Sequence, residues 1–488
     1  MPENAAKKKV PLTRIFGYAL GEGATSITMN GIANFAMLFY TQVLGLSAAY
    51  AGIALSVTML WDAVTDPVMG HISDNTRSRF GRRLPYILLG GFALAVTFFM
   101  LWSVPSRFSS PTAIFWCVLV INLLVRTAVT IFVVPYTALG FEICPDYVDR
   151  SRLQGVRSFI NQTVNLIFGA FAWVLFFRDG VAADGSRIDG TLIHGNYLTM
   201  GAVLSVVSFV MILLCILSTR SYAVDSRDLP MEGTGVGAFF HAIGAIFKDR
   251  NTWYVFGFFV LVQLAMLLTS QIQMFTYVHY MQLMDTEKTF VHGVGMISFA
   301  LCALGQARLV RRFDKKIAGY FGMALSMTGS FSLLVLFSGG IIEPRQTLML
   351  AGKTIPLATI LFAIGQGMWW GGGGILAPVA ISMIADISAI NHHRTGLLKN
   401  GSYSSVFSFC MKAASSFGLL LTGWLVTKAG IVPGAEAQTA EAAHNVSVMT
   451  FLCGPVLMIF SYLILRKYPI DRAFMENIQS DLNERSAG

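Results

Sequence analysis

The chain has 488 residues, of which 55% are hydrophobic and only 12% charged, with a mean hydropathy of +0.62. A soluble chain of this length would form about two or three domains, but this composition excludes a soluble protein. The net charge of +9 does not indicate nucleic acid, because the basic residues sit in short stretches between apolar runs.

In chain order, twelve apolar runs can each cross a hydrocarbon core of about 30 Å. They cover approximately 15–42, 48–73, 85–104, 113–144, 153–177, 195–218, 251–281, 291–310, 317–341, 355–384, 397–427 and 445–466. The first follows a basic segment, Met1 to Arg14, but is too long for a signal peptide and holds Glu22, so it is read as a span. One set of connections carries Lys7, Lys8, Lys9, Arg14, Arg77 to Arg83, Arg150, Arg152, Arg220, Arg227, Lys248, Arg250, Arg308, Arg311, Arg312, Lys315, Lys316, Arg394 and Arg466 onward. The opposite set carries only Arg107, Arg178, Arg187, Lys288, Arg345, Lys353 and Lys428. That asymmetry predicts cytoplasmic termini.

The longest polar connection divides the chain. The expected organisation is a six-helix bundle over 1–218, a central cytoplasmic loop over 219–250, a second six-helix bundle over 251–466 and a cytoplasmic tail over 467–488. A weak repeat supports it: G-H-I-S-D-N-T-R-S-R-F-G-R-R from Gly70 matches G-Q-A-R-L-V-R-R-F-D-K-K from Gly305. The connections 178–194 and 428–444 read as tethers without chemistry. Six scattered cysteines with no C-x-x-C read as small buried hydrophobes.

The second span contains Asp62 and Asp66. A charge at mid-bilayer costs at least roughly 2.5–3.5 kcal/mol and normally faces the protein interior. The i, i+4 spacing puts both carboxylates on one helix face. There they must take up a proton or share a cation; a structural pair that bonds other helices is the alternative. Counted from the run starts at about 1.5 Å per residue, Asp62 lies about 21 Å deep, Asp66 about 27 Å and Thr130, on the fourth span, about 25 Å. Thr130 is thus level with the carboxylates, though a hydroxyl in a helix more often bonds its own backbone. Lys412 lies about 22 Å from the other end of the eleventh span, too deep to snorkel easily, whereas Lys399 can. Asp62 and Asp66 are its obvious partners, with backbone or serine oxygens as the alternative. Arg126 lies one turn before Thr130; its fixed fork of donors suits either an acidic ligand or a structural bridge to Asp62 or Asp66.

Polar stripes mark other spans: Ser26, Asn30 and Asn34 after Glu22; Arg157, Asn161 and Asn165; Gln263, Ser270, Gln271, Gln273 and His279; and Gln366, Trp369 and Trp370 before a run of four glycines. Singly, each reads as helix–helix glue. Together they suit a sugar, which needs bidentate hydrogen bonds and flat apolar faces. No nucleophile–base pair or metal-ligand cluster points to an enzyme.

The run W-D-A-V-T-D-P-V-M-G from Trp61, the following D-x-x-R-S-R-x-G-R-R and L-P-Y-I-L, P-Y-T-A-L-G-F-E (Pro135 to Glu142), D-R-S-R-L-Q-G-V-R (Asp149 to Arg157) and Lys412 together resemble the glycoside–pentoside–hexuronide:cation symporters of the major facilitator superfamily. The resemblance implies an all-α membrane protein with twelve transmembrane helices in two six-helix bundles. It implies alternating access and symport of a sugar or glycoside with Na⁺ or H⁺. It assigns the cation to Asp62, Asp66 and Thr130 and makes Lys412 their charge partner. Substrate contacts then fall to Ser26, Asn30, Arg126, Arg157, Asn161, Gln366, Trp369 and Trp370. Gly70, Asp74, Arg77, Gly81 and Arg82 match the superfamily's loop motif, so Asp74, Arg77 and Arg82 are expected to form a cytoplasmic gate, with Asp74 facing the eleventh span near Thr395.

Where galactoside-carrying members have aspartates, this chain has Ser26 and Val133, and Thr137 replaces a tryptophan. With Arg126 and Arg157 present, those losses tip the cavity toward an acidic ligand such as a uronide. The expected setting is a bacterial inner membrane, as a monomer in lipid, with a small-molecule substrate and no cofactor beyond the coupling cation. A sodium-coupled lysolipid carrier of the same fold, or a sensor without transport, is the competing reading.

Overall fold

The computed structural model describes residues 10–105, 110–144, 147–181, 185, 187–222, 249–350, 353–395, 400–435 and 437–487. Lys7, Lys8, Lys9, Arg107, Arg227, Lys248, Lys399 and most of the connection 219–250 lie outside the described residues.

Twelve long helices run through the described residues. The first six are α1 (Leu12–Gly31), α2 (Ala48–Asp74), α3 (Leu84–Trp102), α4 (Pro111–Ile143), α5 (Tyr147–Phe176) and α6 (His194–Thr219). The second six are α7 (Arg250–Phe275), α8 (Asp285–Phe313), α9 (Lys315–Leu333), α10 (Leu357–Thr395), α11 (Asn400–Lys428) and α12 (Ala440–Arg466). Among the described residues, ten helices are long and apolar enough to cross a membrane; α1 and α5, the two that carry the ladder of polar side chains described below, are not among them. We call the end of the molecule that holds the start of α1 and the end of α12 the terminal face, and the other end the distal face.

Local chemistry fixes the ends. Ser47 caps α2 by accepting a hydrogen bond from the amide of Tyr50. Proline opens α3 and α4, where its missing N–H costs nothing. Gly81 turns the chain into α3 with φ of +79°, a conformation open to glycine. Two helices outrun their apolar stretches: α10 continues through polar sequence to Thr395, and α8 begins at Asp285, whose first turn carries Asp285 and Glu287. Acidic residues there favour the positive end of the helix dipole. Hydropathy measures the bilayer crossing, and the helix continues past it. The tail forms a further helix, α13 (Arg472–Ala487), held to the terminal face where Arg472 donates to the carbonyl of Arg311 at 3.0 Å.

Helix neighbours repeat with a shift of six. In the first set α1 packs on α5 and α6, α2 on α4, and α3 on α4 and α6. In the second set α7 packs on α11 and α12, α8 on α10, and α9 on α10 and α12. Between the sets, α2 meets α11 and α5 meets α8; the same shift interchanges these two contacts. The architecture is therefore two six-helix sets related by a pseudo-two-fold axis, with room for a site along that axis.

At the distal end the sets touch backbone to backbone. A side-chain carbon on Gly52 of α2 would lie 2.7 Å from the carbonyl oxygen of Leu419, and one on Gly423 of α11 would lie 2.3 Å from that of Ala48. Only glycine permits that approach. The two distal connections are also not tethers. Arg187 donates to the carbonyls of Gln282 and Leu283 at 3.3 and 2.9 Å, and the amide of Gly434 donates to Thr41 at 2.9 Å. Both contacts cross from one set to the other.

Candidate cation and substrate sites

Asp62 and Asp66 project from the middle of α2, just before Pro67. Proline has no N–H for the carbonyl of Ala63, so that backbone oxygen, next to Asp62 in sequence, lacks its usual helical donor. Around them the first set contributes Arg126 and Thr130 from α4, and the second contributes Lys412 from α11. Arg126 donates to Oδ2 of Asp62 at 2.9 Å. Thr130 donates to Oδ1 of Asp66 at 2.8 Å, and Lys412 donates to its other oxygen. Asp62 is 5% exposed, and its Oδ1 has no partner among the described residues. A buried carboxylate oxygen without a donor costs desolvation energy unless a cation or proton meets it.

Two carboxylates, one guanidinium and one ammonium balance to zero. A further cation bound among them would leave the group with a net positive charge unless Lys412 left Asp66. Sequence reasoning missed Thr65. Its hydroxyl lies 3.3 Å from that of Thr130, on the same side as the carboxylates, and adds an oxygen to the group. Its position between Asp62 and Asp66 was the available signal. Carboxylate, hydroxyl and carbonyl oxygens suit a hard monovalent ion.

Toward the terminal face lies a cavity of about 450 Å³. One wall is polar: Glu22 of α1 with Gln154, Arg157, Ser158, Asn161 and Gln162 of α5. The facing wall is apolar, with Phe299 and Ala303 of α8 and Ala377, Pro378 and Ile381 of α10. A ladder joins α1 to α5. Arg157 donates through Nε and Nη2 to Glu22 at 3.0 and 2.5 Å, and Asn161 donates to Ser26 at 2.7 Å. Asn165 donates to Asn161 at 3.1 Å, and Asn30 donates to Asn165 at 2.5 Å. The Arg157 guanidinium also lies over the Tyr136 ring, 5.3 Å from its centroid. Arg157 and Asn161 line the cavity with Glu22, while Ser26, which is buried, and Asn30 belong to the ladder and are not among the lining residues.

Other expected contacts fall elsewhere. Trp369 is 1% exposed and belongs to the core of the second set, its ring lying against Gly454 of α12. The missing side chain at Gly454 makes room for an indole, so Trp369 is a packing residue and not a platform in the cavity. Gln366 is also buried, at 1% exposure, and is not among the lining residues. Trp370 is half-buried against Gly295 of α8. Arg126 is bound to Asp62, away from the cavity lining. The expectation of an acidic ligand rested on the presence of Arg126 and Arg157; Arg126 is paired with Asp62 and Arg157 with Glu22.

At the expected gate, Asp74 and Arg82 each pair within the first set. Asp74 bonds Arg83, at the start of α3; the side chains at the start of α11 lie outside the described residues. Arg83 is 6% exposed and also donates to Ser73 at 2.7 Å and Glu142 at 3.2 Å. Arg82 donates to the same Glu142 at 2.9 Å, while Arg77 is exposed. The side chain of Thr395 lies outside the described residues. Under the shift of six, the Arg83–Glu142 bridge between α3 and α4 becomes Lys315–Asp386 between α9 and α10, at 2.6 Å. Each set therefore carries its own brace at the terminal face.

At the distal face, Lys288 of α8 is fully buried and bonds Asp189, in the connection before α6, at 2.5 Å. Its ammonium lies 5.6 Å from the centroid of the Trp173 ring of α5. Burial pushes the Asp189 carboxyl up, but Lys288 and the hydrogen bonds from Thr191 outweigh it and hold the carboxyl below the ordinary aspartate value. Nothing in the polar connection marked this pair in the sequence.

Two six-helix sets about a shared axis, joined by an intramembrane ion cluster and holding a cavity with one polar and one apolar wall, define a secondary transporter. Residues 17–472 match the family described as MFS/sugar transport protein, and the chain belongs to that family. It is 24% identical to the isoprimeverose transporter of Lactiplantibacillus pentosus, over 99% of this chain and 93% of that one. It is 22% identical to the sodium-dependent lysophosphatidylcholine symporter 1-B of Danio rerio, over 99% of this chain and 92% of that one. Its fold is like that of the crystal structure of the nucleoside transporter NupG, with a TM-score of 0.57 at 13% identity, over 94% of this chain and 99% of that one.

Proposed function

We propose that the protein is a cation-coupled symporter for a sugar or glycoside, working by alternating access in a bacterial plasma membrane with both termini in the cytoplasm. The observation that carries the coupling is Asp66. It is shared between Thr130 and Lys412, beside an Asp62 oxygen that lacks a donor. A cation entering among Asp62, Thr65, Asp66 and Thr130 would replace the ammonium of Lys412. Because Lys412 belongs to α11 and Asp66 to α2, that replacement alters the contact between the two sets. Cation binding and the choice of open face are then linked through one ion pair.

The cavity supports the sugar. Its amides, hydroxyl and charged pair offer donors and acceptors at one wall, and the opposite wall offers an apolar face. A lysolipid cargo is less well supported, since an acyl chain needs a continuous apolar path. A sensor without transport has no use for an exchangeable ion cluster. The excess of Lys and Arg at the terminal face supports the cytoplasmic assignment. With the distal face closed and the cavity on the terminal side, the conformation is inward-facing. Thermal stability of the purified protein against a sugar panel, in Na⁺, Li⁺ and choline at equal ionic strength, tests the reading. A sugar that stabilises, and stabilises more in one small cation than in choline, supports it. Stabilisation by lysolipid and by no sugar would replace it.

A further inference from the structure

Glu22 lies one turn before Ser26 on α1 and takes up Arg157 by two hydrogen bonds to a single oxygen, at 3.0 and 2.5 Å. Its other oxygen accepts from Asn161 at 3.3 Å, and the remaining Arg157 nitrogen donates to Gln154 at 3.3 Å. A guanidinium has five N–H donors. Three are committed here, so two remain for the cavity, together with acceptor capacity on Glu22. The pair has no net charge. The other guanidinium near mid-membrane, Arg126, is tied to Asp62. Both guanidinium groups are thus neutralised by a neighbouring helix.

We propose that Glu22 is a specificity-determining residue of the substrate site. By pairing with Arg157 it keeps the cavity neutral and selects an uncharged sugar over its acidic counterpart. This rests on the sugar reading above. A sugar hydroxyl both donates and accepts, so it can use the free donors of Arg157 and the spare acceptor of Glu22 together. A uronide carboxylate would have to share one guanidinium with Glu22, placing two negative groups side by side in a partly desolvated site. The discrimination comes from repulsion by Glu22, not from a missing contact.

The test measures binding of matched neutral and acidic probes. Methyl β-glucoside and methyl β-galactoside are each paired with the uronide of the same ring, and methyl β-xyloside serves as a neutral probe without the sixth carbon. Wild-type protein, Glu22→Gln and Glu22→Asp are compared as monodisperse preparations. Wild type should bind a neutral probe at least about tenfold more tightly than its uronide, a modest share of the cost of juxtaposed like charges. Glu22→Gln should narrow or reverse that ratio by gaining uronide affinity, and Glu22→Asp should keep the wild-type order. A gain for the acid is a readout that a merely weakened helix contact cannot produce. A folded Glu22→Gln protein that loses the neutral sugar without gaining the uronide overturns the proposal and leaves Glu22 a brace. Wild-type preference for a uronide overturns it with no variant needed. Wild type that binds no probe of either kind removes the sugar reading, and this inference with it.

Discussion

Lys412 of α11 donates to Asp66 of α2, so one ion pair spans the contact between the two six-helix sets. Thr130 occupies the other oxygen of the same carboxylate. A coupling cation that uses Asp66 therefore competes with an ammonium that belongs to the opposite half of the molecule.

Removing that competitor should separate binding from coupling. In Lys412→Met the carboxylates are left with one positive charge between them, so cation affinity should rise, as opposite charge is drawn to the uncompensated group. The empty carrier, now negative at mid-membrane, should resist reorientation. Calorimetric titration with Na⁺ should show tighter binding, and exchange of sugar across vesicles should persist while net uphill uptake falls. Unchanged cation affinity would show that Lys412 does not shield the site.

Arg126→Gln should act on stability more than on substrate choice. It strands Asp62, whose other oxygen already lacks a donor. Breaking one side of a buried pair costs on the order of 3–5 kcal/mol. Thermal unfolding should show a lowered midpoint, partly restored at low pH where Asp62 can protonate, with the order of preference among sugars unchanged. Loss of acidic sugars alone, at normal stability, would return Arg126 to the substrate.

The parts of this molecule that are legible in sequence are those where charge and hydropathy conflict. Twelve apolar runs give the helices, and Asp62, Asp66, Arg126 and Lys412 stand out because they interrupt such runs. The structure gathers those four into one cluster. Pairings inside polar stretches are not legible. Asp189 and Lys288 are 99 residues apart in connections that read as ordinary loops, and only folding shows that the lysine is buried. Arg83 hides among neighbouring arginines that all satisfy the orientation rule. Trp369 misleads for the opposite reason: a tryptophan before glycines reads as a stacking platform, and its packing surface, Gly454, lies on a helix remote in sequence. Local pattern also gave no sign of the π-helical turns that continue α1 over Ile32–Ala36 and Phe39–Val43.

The distal closure should be sensitive to Asp189 and Lys288. Asp189→Asn leaves a buried ammonium without its counter-charge and should shift the population toward outward-open forms. Labelling of single cysteines placed along the distal halves of α2 and α11 should speed up, and labelling along the terminal halves should slow. For wild type, the lowered Asp189 pKa keeps the pair ionised above the ordinary aspartate value of about 3.9, and it is lost only as pH falls through the lower folded value. Distal labelling, taken as a ratio to terminal labelling at the same pH so that thiol ionisation cancels, should therefore not change as pH falls from 7 to 5. A wild-type change across that window would assign the closure to another group.

Concentrative uptake tests the coupling claim most directly. Protein reconstituted into vesicles, given a sugar that stabilises it, should accumulate that sugar above the outside concentration when an inward gradient of the coupling cation is imposed, and should stop when the gradient is collapsed. Asp66→Asn protein, folded and present at equal amount, should only equilibrate the sugar, because an amide cannot supply the charge that holds the cation. Accumulation by Asp66→Asn equal to wild type, or wild-type accumulation indifferent to Na⁺, Li⁺ and H⁺ gradients alike, would contradict a cation site at Asp62 and Asp66.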